Sequence, residues 1–184
     1  MTLAADYDRF SVVAFASEPV RARIGALRQL LPPSGRPILA PHVTLKAPFV
    51  NPVDLDGIAA RVRACCAEGR PIAVRPGALY HYEYAEFASV GIAVESGPEL
   101  RDLHRRLVEA LGDLHPLGEP AEDPERYHPH LTIVQQIPLS AVPIVLAEIT
   151  AFGAIEAFEL HEAAVVGRRV GGQWETLATA RFAG

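Results

Sequence analysis

Two short stretches of this chain share one pattern, and they constrain it more than any other feature. Pro41-His42-Val43-Thr44-Leu45 and Pro129-His130-Leu131-Thr132-Ile133 each read Pro-His-aliphatic-Thr-aliphatic. In an extended strand successive side chains point to opposite faces. His42 and Thr44 then share one face, with Val43 and Leu45 on the other. The second copy sets His130 and Thr132 against Leu131 and Ile133. Each copy can bury its aliphatic pair while presenting an imidazole and a hydroxyl together. A single copy carries little weight, because a histidine before an apolar run is usually a surface residue or a satisfied core residue. Two copies in opposite halves of the chain point to a paired site.

The elements around the motifs repeat as well. Phe10–Ala16 is rich enough in β-branched and aromatic residues to be a buried strand. Ser17 and Pro19 then mark a helix start, and Val20, Ile24, Leu27 and Leu31 recur at helical spacing. Pro32-Pro33-Ser34-Gly35 ends that helix, and the first motif strand follows. Asn51-Pro52 opens a second helix with the stripe Leu55, Ile58, Ala59, Val62 and Cys66, and Ile72–Val74 reads as a short strand. The second half restarts with a strand at Phe87–Val94. Ser96 and Glu99 then form a capping-box pattern ahead of a helix with Leu100, Leu103, Leu107 and Leu111 inward. A loop from about 113 to 127 carries Glu119, Glu122, Asp123 and Glu125 and leads to the second motif strand. Loops of this length are either binding loops or disordered. A helix from Ser140, strands at Phe158–Leu160 and Val165–Val166, a Gly171-Gly172 hairpin signal and a return through Trp174 complete the chain. The order strand–helix–His-x-Thr strand–helix–strand therefore occurs twice. Halves of about 1–85 and 86–184 that face each other would bring both His/Thr faces to one cleft within a single bilobal domain.

Composition narrows the function classes. In 184 residues, 49% hydrophobic and 21% charged content is ordinary for a globular chain long enough to bury a core. A net charge of −5 argues against an extended duplex-binding surface, though not against a local site for one anion or strand end. No apolar run reaches membrane-spanning length and no secretory leader is visible, so a cytoplasmic protein is expected. Cys65 and Cys66 are adjacent, a poor geometry for a disulfide, and read as small helix residues.

Two imidazoles across a cleft can divide acid and base work, since an unperturbed histidine titrates at roughly pH 6.5. Threonine hydroxyls add donors to anionic oxygens without bringing negative charge. Four such groups around a small cavity suit a phosphate. Alternation places Lys46, the chain's one lysine, on the His42/Thr44 face, either as an anion ligand or as a solvated strand-end residue. Val134 holds the matching position in the second copy. Tyr82, in the cluster Tyr80-His81-Tyr82-Glu83-Tyr84, could stack a nucleobase or pack a turn. His128 is biased toward an extended conformation by Pro129 and could reach the cleft mouth. Arg126 is either a phosphate clamp or a solvated loop residue. His128-Pro129-His130 is also a metal fragment, but no nearby pattern supplies a third ligand. No metal or cofactor is expected.

The paired motifs, including Pro41–Phe49, and the duplicated element order resemble the two-histidine phosphoesterase superfamily, specifically its bacterial 2′-5′ RNA ligase-like branch. That resemblance implies an α+β bilobal fold with antiparallel sheets lining a central cleft. It also implies metal-independent hydrolysis of 2′,3′-cyclic phosphates on RNA ends or nucleotides to 2′-phosphates, sometimes with reversible 2′-5′ ligation. His42, Thr44, His130 and Thr132 become the catalytic set, with His130 as base on water and His42 as acid on the leaving oxygen. The substrate is then a cyclic-phosphate nucleotide or an RNA 3′ end, and the protein a monomer. Two alternatives stand beside it. One is a non-catalytic module binding nucleotides or RNA ends. The other is a cyclic phosphodiesterase for a small metabolite such as an ADP-ribose cyclic phosphate.

Overall fold

The motif strands bury one aliphatic face, the strands at Tyr7–Phe15 and Glu162–Arg169 are buried on both faces at their middles, and the helices carry single apolar stripes. A computed structural model describes residues 6–35, 38–50, 54–95, 97–114, 126–170 and 172–183. In chain order the elements are β1 (Tyr7–Phe15), α1 (Glu18–Leu30), β2 (His42–Phe49), α2 (Leu55–Ala67), β3 (Ile72–Glu83) and β4 (Phe87–Glu95). Then come α3 (Pro98–Ala110), β5 (His130–Pro138), a 3-10 turn at Leu139–Ala141, α4 (Val142–Phe152), β6 (Phe158–Leu160), β7 (Glu162–Arg169) and β8 (Trp174–Arg181). Pro19 lies in the first turn of α1, whose Val20, Ile24 and Leu27 are buried. The side chain of Asp54 caps α2 by accepting from the Gly57 amide. Asn51-Pro52, Ser96, the acidic residues Glu119 to Glu125 and Gly171 lie outside the described residues.

The strands form an antiparallel array in the order β6-β3-β4-β5-β2-β1-β7-β8. At its centre β2 and β5 match at one residue pair, Val43 opposite Leu131, so the array is pinched into two four-stranded halves. This is the bilobal α+β architecture expected from the duplicated order. The strands distribute in space differently from their order along the chain. β3 lies beside β4, while β7 and β8 extend the sheet from β1. The helices cross over too: α1 packs against β5 and α4, whereas α3 packs against β2 and α2. One large hydrophobic core results, with Ile24, Leu27, Val43, Leu45, Leu103 and Leu131 fully buried in it, beside a small second cluster of Val13, Ala164 and Val166. A fully buried Leu or Val contributes about 1.5–3 kcal/mol. The aliphatic half of each motif therefore anchors its strand, and the His/Thr half is not needed for the core.

The Tyr80–Tyr84 cluster is part strand and part turn: Tyr80 to Glu83 complete β3, paired with β4 through Tyr80 opposite Gly91 and Tyr82 opposite Ser89, and Tyr84 stacks on Phe87 across the β3–β4 turn. One sequence expectation is corrected here. Lys46 does not share the face of His42 and Thr44. The β1–β2 register slips between Val12–Lys46 and Val13–Thr44, a bulge that turns Lys46 with Leu45 toward the core. Lys46 is fully buried, its Nζ donating to the Leu114 carbonyl at 3.1 Å. The same bulge recurs in β5, where Val134 is buried beside Ile133. The duplication thus extends to a backbone irregularity that alternation alone does not anticipate. Cys65 and Cys66 are buried on α2, and burial pushes both thiols up. No helix among the described residues is long and apolar enough to cross a membrane.

Candidate active site

The antiparallel match of Val43 with Leu131 determines the site. His42 and Thr44 flank Val43, and His130 and Thr132 flank Leu131 running the other way, so the four groups gather around that single pair. All four line one cavity of about 270 Å³ on the concave side of the sheet. The motif residues in the sequence are thereby brought together.

Both imidazoles are held in the same way. His42 Nδ1 lies 2.7 Å from the Ala40 carbonyl, and His130 Nδ1 lies 2.9 Å from the His128 carbonyl. A carbonyl can only accept, so each Nδ1 carries the proton and each Nε2 is left with its lone pair. The Pro-His step keeps the preceding backbone extended, which lets each ring reach the carbonyl two residues back. Burial lowers the pKa of His42 to about 4, with further lowering from His130 and Arg28 and a partial offset from the Ala40 hydrogen bond. Burial also lowers that of His130, with a smaller lowering from His128. At neutral pH the cavity therefore presents two neutral bases and two hydroxyls.

The strands are tied down where the sheet ladder is interrupted. In β2 the carbonyls of Thr44, Leu45 and Lys46 accept in turn from Tyr127 Oη (2.8 Å), His104 Nδ1 (2.7 Å) and Ser11 Oγ (2.6 Å). His104 and Tyr127 stack face to face with ring centroids 3.8 Å apart. On β5, Arg28 donates from Nη2 to the Thr132 carbonyl (2.8 Å) and from Nε to that of Ile133 (3.0 Å). Leaving such a buried carbonyl unpaired costs about 1–3 kcal/mol, so these contacts fix the backbone that carries His and Thr.

The rings are also packed from outside. Tyr80 meets His130 edge-on at 5.0 Å and hydrogen-bonds Thr132; burial raises its phenol far above the ordinary range, so it stays protonated. Phe15 sits edge-on to His42 at 6.4 Å. Gly91 makes room for Tyr80, since a Cβ there would lie 2.7 Å from the Tyr80 ring and 2.6 Å from the Leu131 carbonyl. Tyr80 and Arg28 touch the motif strands at the site, and sequence reasoning missed both. A glycine within an apolar strand was the available signal for Tyr80, because it marks a close approach.

The accessory candidates divide. Tyr82 is 56% exposed and packs on Tyr84 rather than against the cavity. Arg126 and His128 line a neighbouring cavity of about 230 Å³ that shares Thr44 and His130 with the first. Lys46 is in neither. Beyond the four motif residues, the main cavity extends over β1, β7 and β8, where Val13, Val166 and Trp174, with Leu39 from the segment before β2, form an apolar wall and Arg9 and Arg168 a cationic end. Among the described residues no group of three or more His, Cys, Asp or Glu side chains gathers as a metal site.

A duplicated antiparallel fold with one His-x-Thr on each central strand defines the two-histidine phosphoesterase class. The family model of the 2′-5′ RNA ligase superfamily matches residues 16–172, and the chain belongs to that superfamily. Among solved structures it is similar to LigT of E. coli in its apo form, at 15% identity and a TM-score of 0.66, covering 97% of this chain and 99% of that one. It is also similar to TT0787 of Thermus thermophilus, at 17% identity and a TM-score of 0.67, covering 95% and 97%. LigT complexed with 3′-AMP matches at 12% identity and a TM-score of 0.63, covering 97% and 99%. No curated protein sequence matches this chain significantly.

Proposed function

We propose that the protein is a metal-independent phosphodiesterase that hydrolyses 2′,3′-cyclic phosphates of nucleotides or RNA ends to 2′-phosphates. The observation that carries this reading is the matched tethering of His42 and His130, each with Nδ1–H bound to its own strand and Nε2 left for a ligand. Binding alone would need donors, whereas two lone pairs opposite two hydroxyls suit proton transfer. E. coli LigT has been crystallised with 3′-AMP, ATP, NADP+ and phosphate, all phosphate compounds, which supports the substrate class.

In a cyclic phosphate the attacking water and the departing oxygen lie roughly in line across phosphorus. One imidazole cannot serve both positions. His130 Nε2 takes the proton of water as the P–O bond to water forms, and His42 gives its proton to the 3′-oxygen as that bond breaks. The Thr44 and Thr132 hydroxyls donate to the non-bridging oxygens, where charge accumulates. His42 must bring its proton in with the substrate. Burial and Arg28 keep the empty ring neutral, and the phosphate supplies the negative charge that raises its pKa.

The test is turnover of 2′,3′-cyclic AMP beside an oligoribonucleotide ending in a 2′,3′-cyclic phosphate, in the presence of excess EDTA. Hydrolysis to the 2′-phosphate at the untreated rate is expected. Activity lost with the chelator and restored only by a divalent cation would replace this reading with a metal hydrolase.

A further inference from the structure

We infer that the main cavity contains a second anion site, formed by Arg9 and Arg168, that takes a phosphate on the far side of the nucleoside from the reactive phosphate. The inference deepens the proposed function and rests on it for the identity of the reactive end.

Arg9 and Arg168 are register partners on β1 and β7, and Trp174 on β8 is the register partner of Arg168. Arg9, Arg168 and Trp174 thus form one row across three adjacent strands, all lining the cavity that holds His42 and His130. The β1–β7 ladder slips between Tyr7 and Arg9, and this bulge brings Asp8 beside both arginines. Asp8 is bound by Arg168 through Nε (2.8 Å) and Nη2, which fixes that guanidinium and holds the Asp8 carboxyl below its usual pKa. Arg9 makes a looser ion pair with Asp8, at 3.7 Å, and its buried Nε has no hydrogen-bond partner among the described residues. The cluster carries one more positive than negative charge. Among the described residues no acidic side chain lines the cavity, although the chain as a whole is at −5.

Distance decides which phosphate this is. Val13 lies opposite Thr44 on β2, and Arg9 is four residues further along β1. At strand rise that separates them by about 13 Å. The gap is lined by Val13 and Val166 and ends on Trp174 beside the arginines, a surface that suits a ribose and base. The second phosphate is therefore that on the 5′-oxygen, either a free 5′-phosphate or the phosphodiester of a preceding nucleotide. Both present non-bridging oxygens that an arginine fork can bind, and the dianion binds it more strongly.

Calorimetry separates these outcomes without relying on turnover. The ligands are adenosine 2′-monophosphate, adenosine 2′,5′-bisphosphate and a diadenylate ending in a 2′-phosphate, titrated into wild-type protein and Arg9→Gln. The readout is the ratio of affinities. Wild type is expected to bind the bisphosphate about 10- to 100-fold more tightly than the monophosphate, and R9Q to bring that ratio near unity. The advantage should shrink with added salt. A diadenylate advantage over the monophosphate that R9Q abolishes assigns the site to a chain phosphodiester as well; no diadenylate advantage in wild type assigns it to a free 5′-phosphate. A wild-type ratio near unity overturns the proposal, whatever the variant does, as does an undiminished ratio in folded R9Q. If cyclic phosphates are not hydrolysed but the ratio persists, the hydrolase reading fails and the anion site stands.

Discussion

Replacing either His42 or His130 by Ala should lower single-turnover hydrolysis of the cyclic phosphate by about two to four powers of ten. Affinity should fall less, because Thr44, Thr132 and the rest of the cavity lining remain. The double variant should lose less than the product of the two single losses, since the rings act on one reaction coordinate. Neither ring supplies core packing: the fully buried residues of these strands include Val43, Leu45, Leu131 and Ile133. The variants should therefore fold, and thermal melts alongside the kinetics check this. Near-wild-type turnover in either folded variant would end the division of labour between acid and base and leave a binding module.

The second large effect is on stability against pH. An unfolded histidine titrates near 6.5, and the folded His42 ring near 4. Above about pH 6.5 the ring is neutral in both states and its contribution is fully present. Between about 6.5 and 4 the unfolded chain takes up the proton and the folded one does not, so stability falls with pH. Below about 4 the contribution is gone. With one pKa unit worth about 1.4 kcal/mol, and allowing for screening at a partly exposed ring, His42 accounts for a loss on the order of 2 kcal/mol. His130, lowered in the same direction, adds to it. The carboxylates of Asp8, Asp113 and Glu175, held low by arginine partners, lose their contribution at the acid end of the range. Urea midpoints measured from pH 7.5 to 5 therefore report mainly on the histidines. His42→Gln should flatten the slope; an unchanged slope would mean that the ring is not held neutral by the fold.

What the sequence discloses and what it conceals have a physical division. The Pro-His-aliphatic-Thr-aliphatic strands are legible because alternation is a local property, and the helices because each buries one stripe against a single core. The meeting of His42 with His130 follows from duplication, once the two faces are taken to share a cleft. Alternation misplaces Lys46 because a bulge is set by the register between β1 and β2 and leaves no mark in the pattern of one strand. The aromatic cluster points to Tyr82 rather than Tyr80 because it does not by itself say which tyrosine faces β5. That choice depends on Gly91, one strand away. Arg28, Arg9 and Arg168 are ordinary surface arginines in sequence. Their roles arise from pairings across the fold, such as Arg28 with the carbonyls of β5 and Arg9 with Arg168.

The central claim is that two neutral imidazoles, each with its proton on Nδ1, flank one phosphate. Nitrogen NMR of the protein with 15N-labelled histidine, titrated at neutral pH with adenosine 2′-monophosphate, addresses it directly. In the free protein the His42 and His130 signals should be those of neutral rings protonated at Nδ1, as the Ala40 and His128 carbonyls require. Saturation with the ligand should move both rings together and bring one to the imidazolium state, with net uptake of a proton. Rings protonated at Nε2 in the free protein, or a titration that moves one histidine and leaves the other unchanged, would contradict the account.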